Sequence, residues 1–105
     1  MTQLWEVLVP ASKRDKEFSY EHHKEWDAYV RGIAGGLTVY RAAKGEWVSP
    51  EGHLFKDRMI PVRIACSESQ IKDIMEFTRK HYDQIAVFAY LISEKVIMWP
   101  SNKES

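Results

Sequence analysis

Cysteine is almost absent from this chain. Cys66 stands alone among 105 residues, which excludes an internal disulfide framework and a CxxC metal site and fits a reducing cytoplasm. Long apolar runs are missing too. No stretch approaches the roughly 20 residues that a membrane-spanning helix needs, and no basic segment followed by a hydrophobic one opens the chain. Charge of one sign is not in excess, since fifteen basic residues balance fifteen acidic ones. There is no general attraction to nucleic acid or to an anionic membrane, and neither is expected as a partner. Low-complexity segments and internal repeats are likewise absent.

The chain does have apolar residues, 45% of the total and spread along its length. They predict one folded domain over residues 1–99, with a flexible tail over 100–105. Residues 4–9 form a short apolar run interrupted only by Glu6 and closed by Pro10, the pattern of a central strand. Residues 11–18 are polar and basic and read as a loop. Ser19 is a helix N-cap, followed by the stripe Trp26, Val30 and Ile33 and stopped by Gly35-Gly36.

Two strand-like runs follow, residues 37–48 and 53–66, joined by the turn residues Ser49-Pro50-Glu51-Gly52. They predict a long hairpin, one that reaches past what a small sheet needs. Ser67-Glu68-Ser69-Gln70 has the form of a capping box and opens a second helix that carries Ile71, Ile74, Met75 and Thr78 and ends near Tyr82. Residues 85–92 read as another strand and 96–99 as a short final one. The order β-α-β-β-α-β predicts an α+β, ferredoxin-like sandwich: an antiparallel sheet with both helices on one face and a long hairpin between the second and third strands.

Alternation assigns the two faces. Ile60, Val62, Ile64 and Cys66 should meet the helices, with Ile85, Val87 and Leu91 beside them. Met59, Pro61, Arg63, Ala65, Ala86, Phe88, Tyr90 and Leu8 should share the opposite face. That face is too apolar to stay wet, so a homo-oligomer is expected, by three-fold or two-fold packing. Glu6 and Arg63 then need partners, either one another or a ligand.

The chemistry-bearing residues divide as follows. Adjacent His22 and His23 point about 100° apart on a helix and do not readily share an ion. No metal site and no cofactor is expected. Cys66, on the core side of its strand, reads as a small hydrophobe. Gly32, Gly35 and Gly36 follow a helix and are not a phosphate loop. Near the hairpin, Glu46, Asp57 and Arg58 sit where a neighbouring subunit meets them, with Trp47, Tyr40 and Tyr90 as aromatic surfaces. These residues fit either a ligand site or an interface.

Three segments resemble the phage-encoded enzymes that degrade S-adenosylmethionine. They are Val7-Leu8-Val9-Pro10-Ala11, Val62-Arg63-Ile64-Ala65-Cys66 and Gln84-Ile85-Ala86-Val87-Phe88-Ala89-Tyr90. Their order and the helix-length gap between the last two also agree. The resemblance implies a ferredoxin-like subunit, a trimer, an adenosyl-ligand cleft between subunits, and a lyase reaction that releases 5′-methylthioadenosine and homoserine lactone. Asp57 would be the catalytic acidic residue, acting as a base or stabilising the sulfonium. Tyr90 and Gln84 would orient the ligand, and Arg63 would hold Glu6 or the ligand's carboxylate.

The chain departs from the family at one point. The acidic pair expected shortly before the Val62-Arg63 segment is replaced by Arg58-Met59-Ile60-Pro61, and Asp57 stands one residue out of register. A bulge near Pro61 would restore it. The same subunit pattern resembles the PII-like signal proteins, which bind adenine nucleotides between three subunits. A non-catalytic sensor, or a sponge for a signalling nucleotide, is therefore the alternative, and a structural oligomer without ligand is a third.

Overall fold

The computed structural model describes residues 2–99; the tail expected at 100–105 lies outside them. The elements in order are β1 (Gln3–Pro10), β2 (Ser12–Lys13), β3 (Lys16–Glu17), α1 (Tyr20–Ala34), β4 (Thr38–Val39), β5 (Ala43–Val48), β6 (Leu54–Cys66), α2 (Glu68–His81) and β7 (Ala89–Ser93). The main sheet runs β4-β6-β1-β7, with β5 extending β6, and every pairing is antiparallel. This is the ferredoxin-like α+β arrangement that the sequence predicts. β1 lies inside the sheet, flanked by β6 and β7.

Both helices begin where their caps are written. The Ser19 side chain accepts from the His22 amide, and Gly35 takes the left-handed conformation at φ 89° that ends α1. The capping box of α2 is complete: Ser67 accepts from the Gln70 amide, and Gln70 Oε1 accepts from the Ser67 amide at 2.9 Å. The helices cover the sheet face formed by Val7, Val9, Val62, Ile64 and Cys66, and Trp26, Val30, Ile71, Ile74 and Tyr82 complete the core. The buried Trp26 indole donates to Thr78 Oγ1 at 2.7 Å, and that hydroxyl donates onward to the Ile74 carbonyl at 2.6 Å.

The structure departs from the sequence reading at five points. The run 37–48 is two strands, not one. Val39 pairs with Val62 but Ala43 pairs with Met59, so one extra residue sits between them, a β-bulge. The bulge near Pro61 that would bring Asp57 into register is absent from β6, which keeps its register against β1 from Met59 through Cys66. Residues 12–17 form a two-stranded hairpin in which Arg14 (φ 52°) and Asp15 (φ 64°) make the tight turn. The last strand starts at Ala89, not at 85; Asp83 turns the chain at φ 52° after α2, so Ile85 is exposed instead of facing the core. Residues 96–99, expected as a strand, have no strand partner among the described residues, and Ile97, Met98 and Trp99 are exposed.

The hairpin arm β5–β6 leaves the body of the domain. The radius of gyration is 15.0 Å, against about 13 Å for a compact chain of this length. Along the arm Gly45 is partly covered, by the end of the Met59 side chain, and so is Ser49 at the turn; the rest of residues 43–58 is exposed.

Candidate functional site

The helix-free face of the sheet holds one polar cluster. Glu6 on β1 and Arg63 on β6 are direct cross-strand partners, and Tyr90 on β7 lies opposite Glu6 on the other side. Arg63 Nε donates to Glu6 Oε1 at 3.0 Å. The Glu6 side chain is 14% exposed and that of Arg63 is 39% exposed, so the carboxylate is mostly covered while the guanidinium is open on one side. The Tyr40 ring lies 5.2 Å from the guanidinium carbon, within cation–π range. Tyr40 sits in the bulge between β4 and β5, where its amide bonds the Pro61 carbonyl at 2.9 Å; the extra residue is part of what places it near Arg63. Burial, followed by the neighbouring Glu6 carboxylate, pushes the Tyr90 phenol above its usual range.

Glu6, Arg63, Tyr40 and Tyr90 are thus the predicted site residues that the fold brings together. The other predicted residues lie elsewhere. Asp57, opposite Gly45, is on the arm, and six residues of strand separate it from Arg63, about 20 Å. Trp47 stacks on Phe55 on the same arm, with centroids 4.6 Å apart. Glu46 is paired in register with Lys56 and lies 3.7 Å from Lys44. Arg58 donates to Glu17 at 3.1 Å. Gln84, just beyond α2, turns its side chain to the Tyr82 carbonyl at 2.9 Å. Within a single chain none of these five joins the Glu6–Arg63 cluster.

Cys66 is in the core, and burial pushes its thiol up to about 11. A thiol of that kind is not a nucleophile at neutral pH.

Sequence reasoning missed a second polar cluster, on the helix side of the sheet. His22 and His23 diverge as expected, but each finds a partner from the end of α2. His22 stacks on His81, with ring centroids 3.8 Å apart, and His23 Nδ1 meets the Tyr82 hydroxyl at 2.6 Å. A gap of 59 residues separates the members of each pair, and nothing local in the sequence announces them. Among the described residues no helix is long and apolar enough to cross a membrane.

No protein-family model matches this chain, and no curated protein matches it significantly in sequence. Solved structures do match. A phage SAM lyase in complex with S-methyl-5′-thioadenosine aligns over 89% of this chain and 81% of its own, with a TM-score of 0.67 and 15% identity. CutA1 from Oryza sativa aligns over 92% and 83%, with a TM-score of 0.66 and 15% identity. The periplasmic divalent cation tolerance protein CutA from Archaeoglobus fulgidus aligns over 94% and 89%, with a TM-score of 0.67 and 9% identity. At such identities the likeness is one of architecture: this chain has the ferredoxin-like subunit fold that the phage enzyme and the CutA proteins share.

Proposed function

We propose that this protein is a small homo-oligomer, a trimer in the leading reading, that binds an adenine-containing small molecule in clefts between its subunits. The observation that carries the reading is the Glu6–Arg63–Tyr40–Tyr90 cluster on an otherwise apolar sheet face. Its groups suit such a ligand. Tyrosine rings stack on a planar base, a carboxylate accepts from ribose hydroxyls or an ammonium group, and a half-open guanidinium takes a carboxylate. The phage lyase of the same fold, solved with S-methyl-5′-thioadenosine, adds support. Oligomerisation is supported by the exposed apolar residues Phe55, Phe88, Ile97, Met98 and Trp99 and by the projecting arm.

The most specific form of the reading is cleavage of S-adenosylmethionine. The substrate's own carboxylate oxygen attacks the γ-carbon, the carbon–sulfur bond breaks, and its electron pair stays on sulfur. Methylthioadenosine and homoserine lactone leave, and no proton need move. The site has only to orient the two ends. Arg63 takes the carboxylate, and a carboxylate near the sulfonium is supplied by Asp57. Because Asp57 is remote from Arg63 in its own chain, it would come from the arm of a neighbouring subunit.

One observation favours a second reading, a non-catalytic adenine-nucleotide binder. Glu6, the carboxylate of the cluster, is already engaged by Arg63, which suits retention without turnover. Incubation with S-adenosylmethionine followed by mass spectrometry of the small molecules separates the two. Methylthioadenosine that disappears with Asp57→Ala supports the lyase. A ligand recovered unaltered, and lost with Arg63→Ala, supports the binder. Neither turnover nor retention of any adenine compound overturns both.

A further inference from the structure

We propose that His22, Glu25 and His81 form a binding site for a divalent transition-metal ion of the zinc type, on the helix face and independent of the ligand cluster across the sheet. His22 and Glu25 are three residues apart on α1 and share a face; His81 is the last residue of α2. Glu25 Oε1 lies 3.9 Å from His22 Nδ1 and 3.6 Å from His81 Nε2. Donor atoms around a tetrahedral zinc ion, with bonds of about 2.0–2.1 Å, stand about 3.4 Å apart. The Glu25 side chain is largely exposed, so small torsional changes close the difference.

Hydrogen bonding prepares His22 for this role. Its Nε2 lies 2.6 Å from the His81 carbonyl, which can only accept, so the proton is on Nε2. In the neutral ring Nδ1 then carries a lone pair, and it faces the Glu25 carboxylate, another acceptor. No donor among the described residues lies between them. A cation fills such a gap, and a ligating histidine whose second nitrogen donates to a backbone carbonyl is the usual arrangement around protein-bound metals. His81 Nε2 lies 2.8 Å from the His22 carbonyl. An ion there takes the place of the Nε2 proton, which moves to Nδ1, and brings the His22 carbonyl oxygen within reach as a further donor.

Stacking holds both rings. Phe18 stacks on His22 at 5.2 Å, His22 on His81 at 3.8 Å, Phe77 on His81 at 5.0 Å, and Tyr29 on Phe77 at 3.9 Å, all within 16° of parallel. The column joins α1 to α2 and sets the imidazole planes before any ion arrives, which lowers the cost of binding. Two nitrogens and one carboxylate oxygen suit zinc, copper(II), nickel or cobalt over calcium or magnesium. The exposed side leaves room for water.

The test is calorimetric titration of chelator-stripped protein with Zn²⁺, with Co²⁺ as a spectroscopic substitute. Wild type should take up one ion per chain, and Co²⁺ should give the visible bands of a low-coordinate site. His81→Phe and His22→Phe keep a stacking ring and remove the nitrogen; each should weaken binding by about ten-fold or more, as should Glu25→Gln. His53→Ala, at the hairpin tip, should bind as wild type does. Zn²⁺ should raise Tm in wild type and not in the phenylalanine variants. Absence of saturable binding by wild type overturns the proposal, and so does binding that His81→Phe leaves intact.

Discussion

Glu6 and Arg63 face one another across β1 and β6 as direct register partners, joined by an Nε–H···Oε1 hydrogen bond of 3.0 Å. A mostly covered carboxylate in this position needs its donor, because a polar group left without one keeps the full cost of desolvation. Arg63→Met should therefore lower the urea midpoint and remove ligand binding together. The double variant Glu6→Gln/Arg63→Met should recover part of the stability and none of the binding. Denaturation curves for the two single variants and the double variant measure the coupling; strictly additive losses would show that the pair is not a unit.

The Trp26–Thr78 bond ties α1 to α2 inside the core. Thr78→Val keeps the shape and removes the acceptor, so the buried indole N–H is left without a partner. A loss of about 1–3 kcal/mol is expected, read from chemical denaturation. A neutral result would mean that the indole finds another acceptor.

His23 carries a pH dependence. Burial lowers its pKa, against the opposing pull of Asp27. The unfolded chain then takes up the proton first as pH falls through about 6.5. Stability should be full above that value and decline below it as the folded-state pKa is approached. Urea midpoints at about pH 7.5 and about pH 5.5, measured with chelator present, should differ more for wild type than for His23→Gln. Equal slopes would refute the role of burial.

The Trp47–Phe55 pair stands on the arm with both rings exposed. If the arm is an interface, Trp47→Ser/Phe55→Ser should leave the fold intact by circular dichroism and shift the molar mass in light scattering toward the monomer. Unchanged mass would assign the contact to the 96–99 segment or to the sheet face alone.

Much of the fold is legible because it is written locally. Ser19 and Ser67 cap helices through bonds to residues three positions on, and the stripes Trp26/Val30 and Ile71/Ile74 repeat at the helical period. Alternation in Ile60, Val62, Ile64 and Cys66 gives the buried side of β6 correctly, because that strand keeps its register. It also puts Glu6 and Arg63 on one face, although their direct pairing is a matter of register. Where local signals are weak, the expectations fail. Arg14-Asp15 lacks the glycine that usually marks a two-residue turn, and the apolar run at 85–88 reads as strand although the chain is still leaving α2.

The sequence by itself determined the order of the two helices and the main strands, the helix caps, the two faces of the central strands and the inert, buried Cys66, because each depends on neighbours within a few positions. Tertiary structure alone decided two things. The single-residue bulge between Val39 and Ala43 carries Tyr40 to Arg63, and the packing of α1 on α2 sets His22 against His81. Both follow from strand register and helix docking, which are fixed by the sum of contacts across the core and leave no mark at the residues they bring together.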